Sequence, residues 1–262
     1  MARLIEKIKE NGLLLSKLIK INLYLRYHGT FFGFFWTFLN AIAMLIIFTF
    51  VFSYILKINI PRFPVFLFCA YIPWLFFSSS MINSCHIFLK NHSLLQKVYF
   101  PRELLIIAEI ISHLLIFLAS FTIFLIFFTI SFKLDFTLSI SNILIIPLII
   151  FIQFLLSLSM GFFLSIANVY FRDISYFIEI LITIWFYLTP IFYPLKWVPE
   201  NVKKLVLLNP ITSVIKCYRD IFYISKNMTS FQILYPLIIS ITLFLISWNF
   251  FRKYEKTIVE EI

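Results

Sequence analysis

Long apolar runs separated by short polar interruptions organise this chain. Runs of eighteen or more apolar residues recur, and as helices they can cross about 30 Å of hydrocarbon. Irregular chain cannot do so, because its amides and carbonyls would lack partners in lipid. Barrel strands would alternate polar and apolar positions over about ten residues, and these runs do not. The pattern therefore predicts an all-α integral membrane protein. Six transmembrane helices are expected, at about 33–56, 64–87, 104–131, 142–169, 175–193 and 231–250.

Three segments outside the spans carry a pattern of their own. Residues 1–30 mix Lys and Arg with Leu and Ile. At 100° per residue Leu14, Leu18, Ile21 and Leu25 share one stripe, while Lys17, Lys20, Tyr24 and Tyr27 share another. This is the texture of an amphipathic helix lying in the head-group plane. Between the second and third spans, Asn91–Glu103 is longer than a turn needs to be. Its Leu94, Leu95, Val98, Tyr99 and Phe100 interleave with Lys97, Arg102 and Glu103. The segment reads as a short amphipathic helix over about 90–102, stopped by Pro101 and offering apolar side chains to something outside the bilayer. The link of about 194–230 is punctuated by Pro199 and Pro210 yet keeps apolar stretches, which predicts short re-entrant or interfacial helices before the last span. The domain plan is thus an interface segment (1–30), a six-span membrane domain (31–252) and a tail (253–262).

Composition sharpens the class. The chain is 62% hydrophobic and 13% charged, against about a quarter charged in soluble domains. Its net charge of +10 is dispersed through loops and ends, where Lys and Arg orient spans and meet anionic head groups. Nothing resembles a nucleic-acid-binding module. Basic residues favour the side holding both termini, so the termini are expected in the cytoplasm. Cys69, Cys85 and Cys217 have neither disulfide nor metal-ligand spacing. The first long apolar run begins behind a charged stretch, so the start does not read as a signal peptide.

Candidate chemistry is sparse. A phosphate-cradling loop needs two glycines five positions apart before Lys and Ser or Thr. The glycines are Gly12, Gly29, Gly33 and Gly161, and no two have that spacing. No catalytic residues and no metal site are expected. Glu109 and His113, four apart on one helix face, can be read as a proton relay or as a hydrogen-bonded pair packed between helices; the packed pair is preferred. Aromatics crowd Phe31–Phe38 and the region from Trp185 to Trp197. They form either interfacial belts or a wall on which sugar rings slide.

Taken in order, Arg26-Tyr27, Gly33, Trp36 and Asn40 at the first span, then Asn91 with Lys97-Val98-Tyr99-Phe100-Pro101-Arg102-Glu103, then Asn168 with Arg172-Asp173 carry a resemblance. So do Trp185, Thr189-Pro190, Tyr193-Pro194, Asn209-Pro210 and Arg219. The ordered set resembles the permeases of type 2 ATP-binding-cassette polysaccharide exporters, which handle O-antigen, capsular polysaccharide and teichoic acid. Phe32 and Ala41 depart from that pattern. The resemblance implies a homodimer in the bacterial cytoplasmic membrane, with lipid-linked polysaccharide as cargo. A separate ATPase subunit would bind ATP and Mg, leaving this chain without a cofactor. It implies that Asn91, Leu95 and Lys97–Glu103 couple to that ATPase, and that Asn168, Arg172 and Asp173 form a cytoplasmic loop. Phe35, Trp185, Tyr187, Pro190, Tyr193, Pro194, Asn209, Pro210 and Arg219 become candidates for the channel or its outer gate. A type 2 exporter of drugs or small molecules is the nearest alternative. A proton-coupled carrier or a membrane-embedded glycan synthase is further off.

Overall fold

The computed structural model describes residues 2–97, 100–132, 140–224, 230–255 and 257–258. Val98, Tyr99, Lys133, Asp135 and most of the tail after Glu255 lie outside the described residues. Regular structure among the described residues is helical throughout. Helix α1 (Ala2–Tyr27) leads into α2 (Phe35–Thr49), which loosens into a π-helical turn at Phe50–Ile55. The chain then runs α3 (Phe63–Cys85), α4 (Ile87–Lys90), α5 (His92–Lys97), α6 (Glu103–Phe132) and α7 (Ile140–Tyr170). After α8 (Ile174–Leu188) come a 3₁₀ turn at Leu195–Trp197, α9 (Glu200–Leu208), α10 (Pro210–Phe222) and α11 (Ser230–Tyr254).

Among the described residues, five helical stretches are long and apolar enough to cross a membrane: Phe35–Ile55, Phe63–Cys85, Glu103–Phe127, Leu144–Tyr170 and Gln232–Tyr254. The expected span over 175–193 is shorter than the apolar run suggested. Helix α8 has 15 residues and ends at Leu188, giving a length of roughly 22 Å. The cause is local. Pro190 has no N–H to continue the ladder and pushes Thr189 out of the helical region, to φ −90° and ψ 133°.

Helix α3 is the axis of the bundle. Its apolar window is 83% buried, against 11% for the window of α2 and its π turn. It packs on α6, α7 and α10, while α11 lies along α7 and α1 lies along α6. At the crossing of α3, α6 and α7 a Cβ on Gly161 would stand 2.8 Å from Ile110 Cδ1 and 3.0 Å from Ser84 Oγ, so only glycine lets these helices approach.

Helix α1 lies along α6. Leu18 is buried and Leu14, Leu15 and Ile19 pack beside it, but Ile21 and Leu25 are 50% and 59% exposed. The face towards α6 runs from Leu14 and Leu18 to Arg26, four residues per step, and Arg26 has partners on α6.

Candidate functional site

The segment Asn91–Glu103 is more broken than a single helix. Helices α4 and α5 meet at Asn91, whose side-chain amide donates to the Ile87 carbonyl at 2.8 Å and so caps the end of α4. Helix α5 covers His92–Lys97. Leu95 and Phe100 are buried in the core of the chain, whereas Ser93, Gln96 and Lys97 are exposed and Pro101, Arg102 and Glu103 are half-buried. Leu95 and Phe100 thus anchor the segment to the bundle, while Ser93, Gln96 and Lys97 lie outward. Asn168 sits in the last turns of α7 rather than in a loop. It is fully buried, and its Nδ2 donates to the Cys85 carbonyl at 2.9 Å, satisfying the end of α3 beside α4. Arg172 and Asp173 are exposed between α7 and α8, as a loop requires.

At the other end of the bundle the motif residues converge on the break after α8. Arg219 on α10 donates from Nη1 to the Pro190 carbonyl and from Nη2 to the Ile191 carbonyl, and Nε donates to the Phe66 carbonyl at 3.3 Å. Its guanidinium lies 3.7 Å from the centroid of the Phe66 ring. Burial pulls the group down from 12.5 to about 9, which leaves it cationic at neutral pH. Asn209 ties the same break to α10. Its Oδ1 caps the Ile211 amide at 3.2 Å and its Nδ2 donates to Thr189 Oγ1 at 3.1 Å. Tyr193 donates to the Tyr187 carbonyl at 3.2 Å. Tyr223, just beyond α10, donates to the Pro61 carbonyl at 2.7 Å. That bond pins a turn whose Lys57 and Arg62 hold left-handed φ of 52° and 48°.

Aromatic rings fill the space under this break. Phe192 stacks on Phe48 at 6.2 Å between centroids with planes 7° apart, and touches Phe52, Phe186 and Tyr187. Trp185 meets Phe77 edge-on at 5.3 Å. Phe35 does not belong to this group. It opens α2, roughly 20 Å of helix from Phe48, and contacts Phe32 and Phe38 with Trp36 close by. Between α1 and α2 the chain turns on Gly29 and Gly33, at φ 76° and 50°, and Tyr27 and Thr37 share a 3.0 Å hydrogen bond across the corner.

Two polar links had only faint sequence signals. Gln153, an isolated amide in an apolar run, donates to the Pro73 carbonyl at 2.8 Å and accepts from the Tyr218 hydroxyl at 2.9 Å. It thereby joins α3, α7 and α10 in the middle of the bundle. Glu109 and His113 do pair, with Oε1 3.3 Å from Nε2, and Arg26 completes the group. Arg26 Nη2 is 3.3 Å from Glu109 Oε1, and Nη1 and Nη2 lie 3.1 and 2.9 Å from the His113 ring nitrogens. No cluster of three or more His, Cys, Asp or Glu able to hold a metal occurs among the described residues.

The arrangement is a bundle of apolar helices with a polar segment at one end and a hydrogen-bonded break at the other. A sequence profile described as ABC-2 type transporter matches residues 14–223, from within α1 to just beyond α10. The chain belongs to the ABC-2 type transporter family. Among curated relatives, the O-antigen export system permease protein RfbA of Myxococcus xanthus is 29% identical over 232 residues, covering 85% of each chain. A Klebsiella pneumoniae protein of the same name is 30% identical over 220 residues, covering 82% of this chain and 84% of its own. As an ABC-2 type transporter this chain is a multi-pass membrane component of a transport system rather than an enzyme. The ABC-2 match takes in the Asn91–Glu103 segment, the break at Pro190 and the Arg219 cap alike.

Proposed function

We propose that this chain is the membrane subunit of an ATP-driven exporter that moves a lipid-linked polysaccharide, of O-antigen, capsule or teichoic-acid type, out across the bacterial cytoplasmic membrane. The observation that carries this reading is the match to O-antigen export permeases over more than four-fifths of both chains. In this reading α8, with the capped break that follows it, serves as a sixth span, and both termini are cytoplasmic. Two copies form the channel, with the little-buried α2 and α8 facing the partner copy or the lumen. The energy comes from a separate ATP-binding-cassette subunit that holds ATP and Mg, and α5 with Lys97, Arg102 and Glu103 meets it. Closure of the ATPase on ATP would push on α5. The rigid connection through Leu95, Asn91 and Asn168 to α3 and α7 would pass the displacement to the bundle. At the far mouth α9 and α10, fastened by Arg219 and Asn209, act as the gate, and the aromatic cluster around Phe192 offers ring faces to sugar C–H groups.

The deciding experiment is deletion of the gene followed by localisation of the lipid-linked glycan. Accumulation on the cytoplasmic face is expected. Loss of the polymer itself would instead identify a synthase, and unchanged surface glycan would refute the export reading.

A further inference from the structure

Helix α3 is held at its two ends by different parts of the molecule. At its first turns α10 grips it. Arg219 Nε donates to the Phe66 carbonyl with the guanidinium over the Phe66 ring, and Tyr223 donates to the Pro61 carbonyl just ahead of the helix. At its last turn the Cys85 carbonyl accepts from Asn168 Nδ2, and α4 follows after one residue, leading through Asn91 into α5. The polar segment and the capped break are thus joined to opposite ends of one helix.

Between these holds stands Pro73, near the middle of α3. It has no N–H to give to the Cys69 carbonyl four residues back, and its ring crowds that carbonyl, so the ladder lacks a bond there. A helix with such a gap bends there more easily than elsewhere along its length. In hydrocarbon these sites persist where neighbouring side chains supply hydrogen bonds. Gln153 supplies one, since its Nε2 donates to the Pro73 carbonyl at 2.8 Å while its Oε1 accepts from the Tyr218 hydroxyl at 2.9 Å. Both side chains are fully buried, and Tyr218 immediately precedes Arg219 on α10. A buried amide costs stability unless it is hydrogen-bonded. Here both of its ends are engaged beside the proline. Two consecutive residues of α10 therefore hold α3, one at its first turns and one, through Gln153, at its weak point.

We propose that Pro73 is a pivot in α3 and that Gln153 and Tyr218 are positioning residues that hold it, so that movement entering at α5 is delivered to α10. The proposal rests on the export reading, in which α5 receives the push and α10 closes the far mouth. The arm from Pro73 to Cys85 moves with α4 and α5. Bending at Pro73 turns that movement into a swing of the arm from Phe63 to Pro73, which Tyr218 and Arg219 follow.

The test uses the full complex with its ATPase in nanodiscs, carrying a nitroxide label at Ser93→Cys on α5 or at Lys216→Cys on α10. Both positions are exposed, whereas the native Cys69, Cys85 and Cys217 are buried. Vanadate-trapped ATP is expected to shift both labels in the otherwise unsubstituted complex. Pro73→Ala restores the missing N–H, and Tyr218→Phe removes one hydroxyl from a ring that keeps its packing on Phe117 and Phe121. In each variant the Ser93 label is expected to shift as before while the Lys216 label stays still. Glycan exported per ATP should fall by about tenfold, within the range of coupling between distant sites. A merely structural role would lower both shifts together with the amount of folded complex, and that result overturns the pivot. So does an unchanged shift of both labels in the two variants, or a Lys216 label that stays still in the unsubstituted complex while Ser93 responds. Uncoupling by Pro73→Ala alone keeps the pivot and removes Tyr218 from it. A Ser93 label that ignores ATP in the unsubstituted complex refutes the ATP-driven reading itself, and the proposal falls with it.

Discussion

The Arg26 guanidinium reaches from the end of α1 to within 3.3 Å of the Glu109 carboxylate on α6. Glu109 is 2% exposed and Arg26 is partly solvated, so the carboxylate depends on this pair and on His113 for its charge. Removing one partner of a buried pair strands the other, at a cost of about 3–5 kcal/mol when both are fully buried. Partial exposure of Arg26 places Arg26→Ala at the lower end of that range. The variant is expected to lower the melting temperature and loosen α1 from the bundle, read out as faster proteolysis within residues 2–27.

Glu109→Gln removes the charge while keeping a side chain that can hydrogen-bond. On the packed-pair reading, glycan export continues largely intact. Loss of export at normal membrane levels would instead assign Glu109 a proton-carrying role.

Arg219 satisfies the carbonyls of Phe66, Pro190 and Ile191 at once and sits over the Phe66 ring. Lysine has one point of charge and no plane to stack, so Arg219→Lys is not conservative here. Each buried carbonyl left bare costs about 1–3 kcal/mol. The expected outcome for Arg219→Lys is a large loss of export with increased cysteine labelling at positions 190–194, whereas unchanged labelling would remove Arg219 from the gate.

Leu95 and Lys97 separate anchoring from docking. Leu95→Ala empties a buried site, for about 2–5 kcal/mol, and should lower the yield of folded protein. Lys97→Glu with Arg102→Glu changes the exposed Lys97 and the half-buried Arg102 and leaves the buried Leu95 in place. The folded yield should hold while co-purification with the ATPase, or its transport-linked turnover, falls; unchanged binding and turnover would sink the assignment of α5.

Gly161→Ala would place a methyl group 2.8 Å from Ile110 Cδ1 and 3.0 Å from Ser84 Oγ. Overpacking of this kind costs about 1–3 kcal/mol. A matching drop in thermal stability is expected, and Ile110→Val in the same chain should recover part of it.

How far the chain could be read in advance follows from the range of the forces involved. The long helices follow from apolar runs and were legible to within a few residues, since 104–131 was expected where α6 spans Glu103–Phe132. The end of α8 was misplaced because Phe192 and Tyr193 are as apolar as what precedes them, while the break depends on one dipeptide, Thr189-Pro190. Which side of α1 turns towards α6 is not legible in the sequence, for a different reason. Periodicity ranks Ile21 and Leu25 above Arg26, yet a partner 83 residues away decides which side turns in. Similarly, Gln153 was visible as a lone amide, but nothing in its neighbourhood names Tyr218, 65 residues on. Leu95 and Phe100 were seen as apolar, and only the packed ends of the spans show that they are spent on the chain itself.

The shortness of α8 has an energetic consequence for whatever crosses beside it. The work of moving a polar polymer through hydrocarbon scales with how much of it is out of water at one time. Along α8 the apolar stretch is roughly 22 Å, against about 30 Å for a full bilayer core. A sugar chain threading past it would therefore have about a quarter fewer residues dehydrated at any instant than along the longer helices.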